Sequence, residues 1–390
     1  MMKILQVHNF YQHSGGEDSV LKNEKALLER NGHEVAEYTR DNHEIKGLRD
    51  YAYLLFNTHY SEKSRKHFLH QLRESRPDIV HVHNFFPLIT PSVFDACQEA
   101  SVPVVMTLHN YRIIYPNAYL FHKGEIDERT IDASAYLTVP DAVYRDSVLQ
   151  TAVVAHMIEY HRKSNTWNKK VSRLITFTEF TKDIFVRSGI APDQLVIKPN
   201  FIEDKLSSVL HTSPSEELYF VYVGRISEEK GIEMLVQTWV DHQLPYPLYI
   251  LGTGPLMESL QQISATNKSV CWLGFQPQEV VLRYIRHAQA LLFPSICYEG
   301  FPMTIVEAFS LGTPVLTSDI GNQASIIKHN HNGVHFKVKD TTGLAGQLKL
   351  LVANPEKVKE MGDKARATYE DLYTPEVNYQ KLMEIYQSVL

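Results

Sequence analysis

The stretch "ALLFPSICYEGFPMTIVEAFSLGTPVLTSD", residues 290–319, decides the fold. Its first apolar run, "ALLFPSIC", is a buried strand. A Gly-Phe-Pro turn follows, and Pro302 has the fixed φ that suits the first position of a helix. The helix from about Pro302 ends near Gly312, with Pro314 as a stop signal. "PVLTSD" is then the next strand. Continuous apolar strands separated by helices indicate a parallel sheet covered on both faces. Two carboxylates flank the turn: Glu299 lies on the loop before the helix, and Glu307 one to two turns inside it.

The same alternation extends in both directions. Upstream come "LYFVYVG", a helix after Gly231, "PLYILG", a helix near 255–264, "VCWLGF" and a helix near 277–288; downstream, helical patterns cover 355–370 and 375–389. The first half repeats the plan. "KILQVHN" is a strand, Gly15 and Gly16 follow in a loop, and a helix runs from about Asp18, the expected N-cap, to Arg30. "EVAEYT", "DIVHVHN", a helix near 91–100, "VPVVMTLHN", "LITFTEF" and "LVIKPN" continue it. Residues 203–217 are polar and without a clear period, which suits a linker. The expected division is 1–202, linker 203–217, 218–374, and a closing helix 375–390. In open parallel sheets ligands bind outside the carboxyl ends of the strands.

Composition narrows the function classes. A chain of 390 residues suits two domains. With 44% hydrophobic and 22% charged residues it is globular, and a net charge of -6 gives no basic character for nucleic acid. Cys97, Cys271 and Cys297 form no zinc spacing or disulfide framework, which fits a reducing cytosol. The N-terminus reads as a strand rather than a signal peptide, and no apolar run is long enough to span a bilayer.

Several loops carry candidate ligands. In "VGRISEEKGIE", Arg225 and Lys230 suit phosphate oxygens beside a helix N-terminus; two surface cations beside Glu228 and Glu229 fit equally well. "LGTGP" is a glycine turn, but Met257 takes the third position of a dinucleotide fingerprint. "WLGF", ending at Phe275, can meet a flat base or be a plain turn. Gly15 and Gly16 permit close backbone approach to a ligand and are not a Walker A loop. His109 ends a strand, where a structural role is commoner than a functional one. His81 and His83 alternate on one strand, but no acidic partner is evident for a metal. D-x-D is absent, which removes the usual carboxylate site for a metal-bound sugar nucleotide.

Together these residues resemble a retaining glycosyltransferase of family four (group 1). The resemblance covers nearly the whole chain. It rests on E-x7-E at Glu299 and Glu307 in the context "EGFP" and "EAFSLGTPVLTSD", on Arg225 and Lys230, and on Gly15-Gly16-Glu17, His109 and "VIKPNFI". It implies an α/β fold of GT-B architecture, two Rossmann-like domains facing across a cleft. The first would bind acceptor, the second the nucleotide sugar, and the closing helix would pack back on the first. Glu307 would hold the ribose and Glu299 the donor sugar. Backbone N–H groups of Gly300, Phe301 and Met303 would meet sugar or phosphate oxygens, and Phe275 would lie by the base. Arg225 and Lys230 would neutralise the departing diphosphate. His109 would sit near the transferred sugar, and Gly15 and Gly16 under the phosphates. No cofactor or metal is expected; the donor would be a UDP-sugar or GDP-sugar. Members with a similar "TLHNYRIIYPNAYLF" segment often continue with a cysteine cluster, which is absent here.

The expected partners are a nucleotide sugar and a glycan or lipid-linked saccharide acceptor of bacterial envelope polysaccharide synthesis, not nucleic acid. Two basic segments, 61–77 and 161–173, can rest on anionic lipid at the inner membrane face or be solvated helix faces. Competing functions on this architecture are a nucleotide-sugar epimerase, which would consume donor without acceptor, and a non-catalytic nucleotide-sugar-binding subunit, which would bind without turnover.

Overall fold

The computed structural model describes residues 1–12, 15–209 and 212–390. They form two compact units. One comprises Met1–Leu120, Asp127–Asn200 and Asn378–Leu390; the other comprises Phe121–Ile126 and Phe201–Val377.

The first unit holds six strands, β1 (Lys3–Phe10), β2 (Glu34–Asp41), β3 (Ile79–Val82), β4 (Val104–Thr107) and, after a short hairpin described below, β7 (Arg173–Thr176) and β8 (Leu195–Ile197). The hairpin strands are β5 (Phe121–His122) and β6 (Glu125–Ile126). The sheet order is β2-β1-β3-β4-β7-β8, and every pairing is parallel. The second unit repeats the plan with β9 (Phe220–Val223), β10 (Leu248–Leu251), β11 (Val270–Gly274), β12 (Leu291–Phe293), β13 (Val315–Ser318) and β14 (Gly333–Phe336) in the parallel order β11-β10-β9-β12-β13-β14. Both sheets are Rossmann-like and double back at their first strand. The switch points lie between β1 and β3 and between β9 and β12.

Alternation along the strands feeds two layers of core. Phe220 and Tyr222 pack with Trp239, Ile250 and Leu316, whereas Tyr219 and Val221 pack on the other face with Phe293, Val315 and Tyr369. That two-sided burial explains the continuous apolar runs.

Several boundaries differ from expectation. Helix Gly16–Arg30 begins at an N-cap Gly15, so Asp18 lies in its first turn. The Asp18 carboxylate still serves the helix start: Oδ2 accepts the Gly15 N–H at 3.0 Å, while Oδ1 contacts His8 Nε2 at 2.8 Å. Pro302 is the N-cap of helix Met303–Ser310 rather than its first residue, with ψ 90 outside the helical range. The hairpin Phe121–Ile126, expected in the first domain, groups with the second unit, where Lys339 Nζ donates to the Gly124 carbonyl at 3.2 Å. Much of the 203–217 stretch is also part of the second unit. Asp204 pairs with Arg366 at 2.6 Å, and Val209 is buried. Leu210 and His211 of that stretch lie outside the described residues. The closing helix, Pro375–Gln387, sends Leu382, Met383, Ile385 and Tyr386 into the core of the first unit beside Ile4, Ile79, Val105 and Ile175.

Candidate active site

Loops after β9 and β12 meet at the switch point of the second sheet, where ligands of such sheets bind. After β9 the chain passes Arg225 and makes a short turn, Glu228–Lys230. Gly231 then takes a left-handed conformation, φ 65°, and helix Ile232–Asp241 starts. The glycine is required twice over. A Cβ there would lie 2.0 Å from the Pro294 carbonyl oxygen of the loop after β12, and positive φ strains any other residue. This close approach brings Lys230 to the β12 loop. Gly231→Ala is therefore expected to cost about 1–3 kcal/mol, as overpacking does. Denaturant unfolding checks it, and an unchanged midpoint would remove the close-approach argument.

Lys230 Nζ donates to both carboxylate oxygens of Glu299, at 2.8 and 2.9 Å. Burial works against the ammonium, but Glu299 outweighs it and holds the Lys230 pKa above its ordinary value. Ser295 Oγ donates to Glu299 Oε1 at 2.7 Å. Asn322 Nδ2 donates to the carbonyls of Glu299 and Gly300, each at 2.6 Å, which pins the "EGFP" turn from the start of helix Gly321–Ile326, after β13. Ser295 and Asn322 are site residues that the sequence did not single out; each follows a strand, the signal that could have found them.

Glu307 is half-buried one turn into helix Met303–Ser310 and accepts from Gln278 Nε2 at 2.7 Å. Burial pushes its carboxyl pKa up. Arg225 is exposed, and its side chain forms no ion pair among the described residues. Phe275 is 80% exposed at the end of the β11 turn, an unusual position for a phenyl ring. Gly300, Phe301 and Met303 are half-buried, with Phe301 and Met303 packed on the core below. Glu299, Gly300, Phe301, Met303 and Glu307 thus share one turn and helix, and the Lys230 ion pair reaches that turn.

The first unit collects its candidates at the carboxyl edge of its own sheet. His109 Nε2 lies 3.1 Å from His83 Nδ1, and the rings stack at 5.3 Å. Burial and His83 hold the His109 pKa well below the ordinary range, so the ring is neutral at pH 7. Gly15 and Gly16 are exposed at the start of the first helix. Glu17, beside them, contacts Asn84 Nδ2 at 3.2 Å and Asn110 Nδ2 at 3.5 Å. Burial and neighbouring Asp18 push its pKa up to about 8.

An acidic partner for His81 and His83 does exist, contrary to the sequence reading. Buried Glu24 lies 2.9 Å from His81 Nδ1 and 3.2 Å from His83 Nε2. The fully buried Lys198 contacts the other Glu24 oxygen at 3.1 Å, so a lysine ammonium supplies positive charge to this carboxylate. The basic segments are ion-paired in part: Arg65 with Glu62 and Glu99, Arg73 with Glu99, Arg162 with Glu159, and Lys170 with Asp95. Among the described residues no helix is long and apolar enough to cross a membrane.

Comparison with known proteins follows this division. Residues 14–206 match the profile of Glycosyltransferase Family 4, and residues 206–368 that of Glycosyl transferases group 1. The chain belongs to the family 4 glycosyltransferases. Among similar members of the family is the lipopolysaccharide 1,6-galactosyltransferase of Escherichia coli, 27% identical over 57% of this chain and 65% of that protein. The amylovoran biosynthesis glycosyltransferase AmsK of Erwinia amylovora is 27% identical over 59% of this chain and 60% of its own length. The chain therefore spans about three-fifths of the length of these curated relatives. Solved structures share the fold: the galactosyltransferase WaaB (TM-score 0.68, 20% identity, all of both chains) and Anabaena HepE in complex with UDP-glucose (TM-score 0.68, 18% identity, all of both chains). The two parallel-sheet units thus share the GT-B fold of these structures.

Proposed function

We propose that the chain is a retaining glycosyltransferase that moves a hexose-type sugar from a nucleotide-diphosphate sugar to a glycan or lipid-linked acceptor in envelope polysaccharide synthesis. The observation that carries this reading is the Lys230–Glu299 pair at the second sheet's switch point, with Glu307 on the helix that follows. The ionised Lys230 provides fixed positive charge where a diphosphate would leave, and Arg225 adds a mobile planar fork. Preorganised charge of this kind stabilises the developing anion without a metal. Glu299 orients the ammonium and keeps acceptor capacity for sugar hydroxyls, and Glu307 offers paired acceptors for ribose hydroxyls. A neutral His109 suits contact with an uncharged sugar. Attack then proceeds on the face the diphosphate leaves, the departing phosphate taking the acceptor proton, so no protein nucleophile is needed. The names of the relatives and the nucleotide complexes of HepE support the substrate class. The protein would work in the cytoplasm, at the inner membrane face where the acceptor requires it.

Thermal shift with UDP, GDP, ADP and their sugar conjugates tests the reading. A ligand that binds only the folded state adds about 2.7 kcal/mol at a hundredfold excess over Kd. One nucleotide series is expected to raise the Tm of the wild type and to lose its effect in Glu307→Ala. No response to any nucleotide would overturn the donor site. Donor consumption without acceptor, yielding an isomerised sugar nucleotide, would favour the epimerase.

A further inference from the structure

Helix Leu48–Asn57 has the sequence LRDYAYLLFN, in which seven of ten residues are apolar or aromatic, yet none is buried. Helices of soluble proteins bury such a stripe. Here Leu48 is 89% and Phe56 76% exposed, and across from them Val148 and Leu149 are 54% and 59% exposed. Between this helix and helix Val148–Lys163 runs a groove of about 250 Å³ with walls that include Ile45, Leu54, Leu55, Leu149 and Val153. Its other end is polar. Tyr11, Gln12 and Asn42 line it just past β1 and β2, at the carboxyl edge of the sheet. The groove therefore reaches the carboxyl edge of the sheet, where Tyr11 lies within the electrostatic reach of Glu17.

Among the described residues, the one charged side chain in the lining of the groove is a guanidinium. Arg145 lines it, lies 5.3 Å from the Tyr144 ring, and forms no ion pair among the described residues. Arg112 stands over the rings of Phe86 and Tyr144, at 4.4 and 5.0 Å, both of which line the groove. Lys46 and Arg49 are exposed at the start of the apolar helix. The nearby Asp50 is occupied by the backbone N–H groups of Lys46 and Gly47, at 2.9 and 3.1 Å.

We infer that this groove holds the hydrocarbon tail of an amphiphilic acceptor, with the acceptor's anionic group near Arg145 and its sugar toward the carboxyl edge of the sheet. The inference rests on the transferase reading and narrows its acceptor to a lipid-linked one. A concave apolar wall ending in guanidinium groups fits a chain with an anionic head. A flat bilayer contact needs only an apolar stripe, whereas Tyr51, Leu54 and Leu55 of this helix line a concave groove.

The full-length protein is titrated calorimetrically with decyl phosphate, decyl glucoside and ethyl phosphate below micelle-forming concentrations, and separately with UDP. Decyl phosphate is expected to bind at least about tenfold more tightly than the other two amphiphile probes, since tail and anion must both contribute. Leu55→Asp combined with Leu149→Asp changes only exposed side chains and is expected to weaken decyl phosphate about tenfold or more. Arg145→Gln is expected to abolish the preference for phosphate over glucoside. UDP binding should be the same in all three proteins. Equal binding of ethyl phosphate would reveal an anion site only, and undiminished binding by the double variant would place the tail elsewhere; either overturns the inference. Binding of phosphatidylglycerol vesicles without binding of decyl phosphate would also overturn it, in favour of a bilayer contact. Absence of UDP binding with decyl phosphate binding intact would sink the transferase reading and leave the amphiphile groove standing.

Discussion

Lys230→Ala is expected to lower kcat/KM by roughly 10²- to 10³-fold, the loss seen when one preorganised charge-stabilising donor is removed from an enzyme site. The Lys230 ammonium is held by both oxygens of Glu299, and Glu299 is held in turn by Ser295. The alanine variant therefore loses its fixed cation, while the turn stays pinned through Asn322. The side chains of the pair are only 28% and 13% exposed, so the variant leaves the Glu299 charge with the Ser295 hydroxyl as its remaining donor, and some loss of Tm accompanies the kinetic loss. Lys230→Arg restores the charge and can still pair with both Glu299 oxygens, but its larger planar head needs more room than the compact ammonium in this partly buried position; only partial recovery is expected. Steady-state kinetics with a scanned donor series, together with Tm, decide the matter. A loss below threefold at unchanged Tm would remove Lys230 from leaving-group stabilisation.

The second large effect concerns stability. Lys198 and Glu24 form an ion pair at 3.1 Å with side chains 2% and 1% exposed, and Asn378 Oδ1 lies 3.2 Å from the ammonium. Lys198→Met leaves Glu24 in the core without its lysine, facing His81, His83, Gln6 and the Tyr386 hydroxyl. Breaking a buried pair from one side typically costs about 3–5 kcal/mol, so urea unfolding of the first unit should shift by that order. Adding Glu24→Gln should recover a large part, since the uncompensated charge, not the missing contact, is the main penalty. If the single variant is as stable as the wild type, the pair is not a stabilising element of this unit.

The pH dependence has a definite sign. Burial alone would raise the Glu24 pKa, but His81, Lys198 and His83 together hold it well below the ordinary value. A depressed carboxylate contributes stability that is present above its unfolded pKa, near 4.3, and lost as pH falls through the folded value. His83 acts in the same direction. Burial and His81 push its pKa down to about 3, so between that value and about 6.5 the unfolded chain binds the extra proton. Stability should rise with pH across this window. In Lys198→Met the slope below about 4.3 should flatten, because Glu24 loses part of its depression.

Much of the second unit was legible because its information is local. The E-x7-E stretch, the turn at Gly231 and the strand-helix alternation each lie within a few residues, and period and turn chemistry report them directly. Asp18 shows the limit. As a residue type it suited a helix start, and one oxygen does accept the Gly15 N–H, but the other meets His8, ten positions earlier, which lies beside it only after β1 and the first helix pack. His81 and His83 were read without an acid because Glu24 sits far away in sequence, on a helix of its own. Lys198 is farther still, 174 residues from Glu24.

By itself the sequence determined two parallel sheets, their covered faces, the strand-end placement of the candidate donor site, and the residue types within it. These follow from periodicity, which records which face of an element is buried. Only the tertiary structure decided what each buried polar group meets: Glu24 with Lys198, His83 with His109, Asn322 with the Glu299 turn, and the hairpin Phe121–Ile126 with the second unit. It also left helix Leu48–Asn57 without a buried face. The reason is physical. Apolar burial is non-directional and can be read from pattern, whereas a buried charge or donor requires one specific partner, and the order of strands in the sheet sets which partner is within reach.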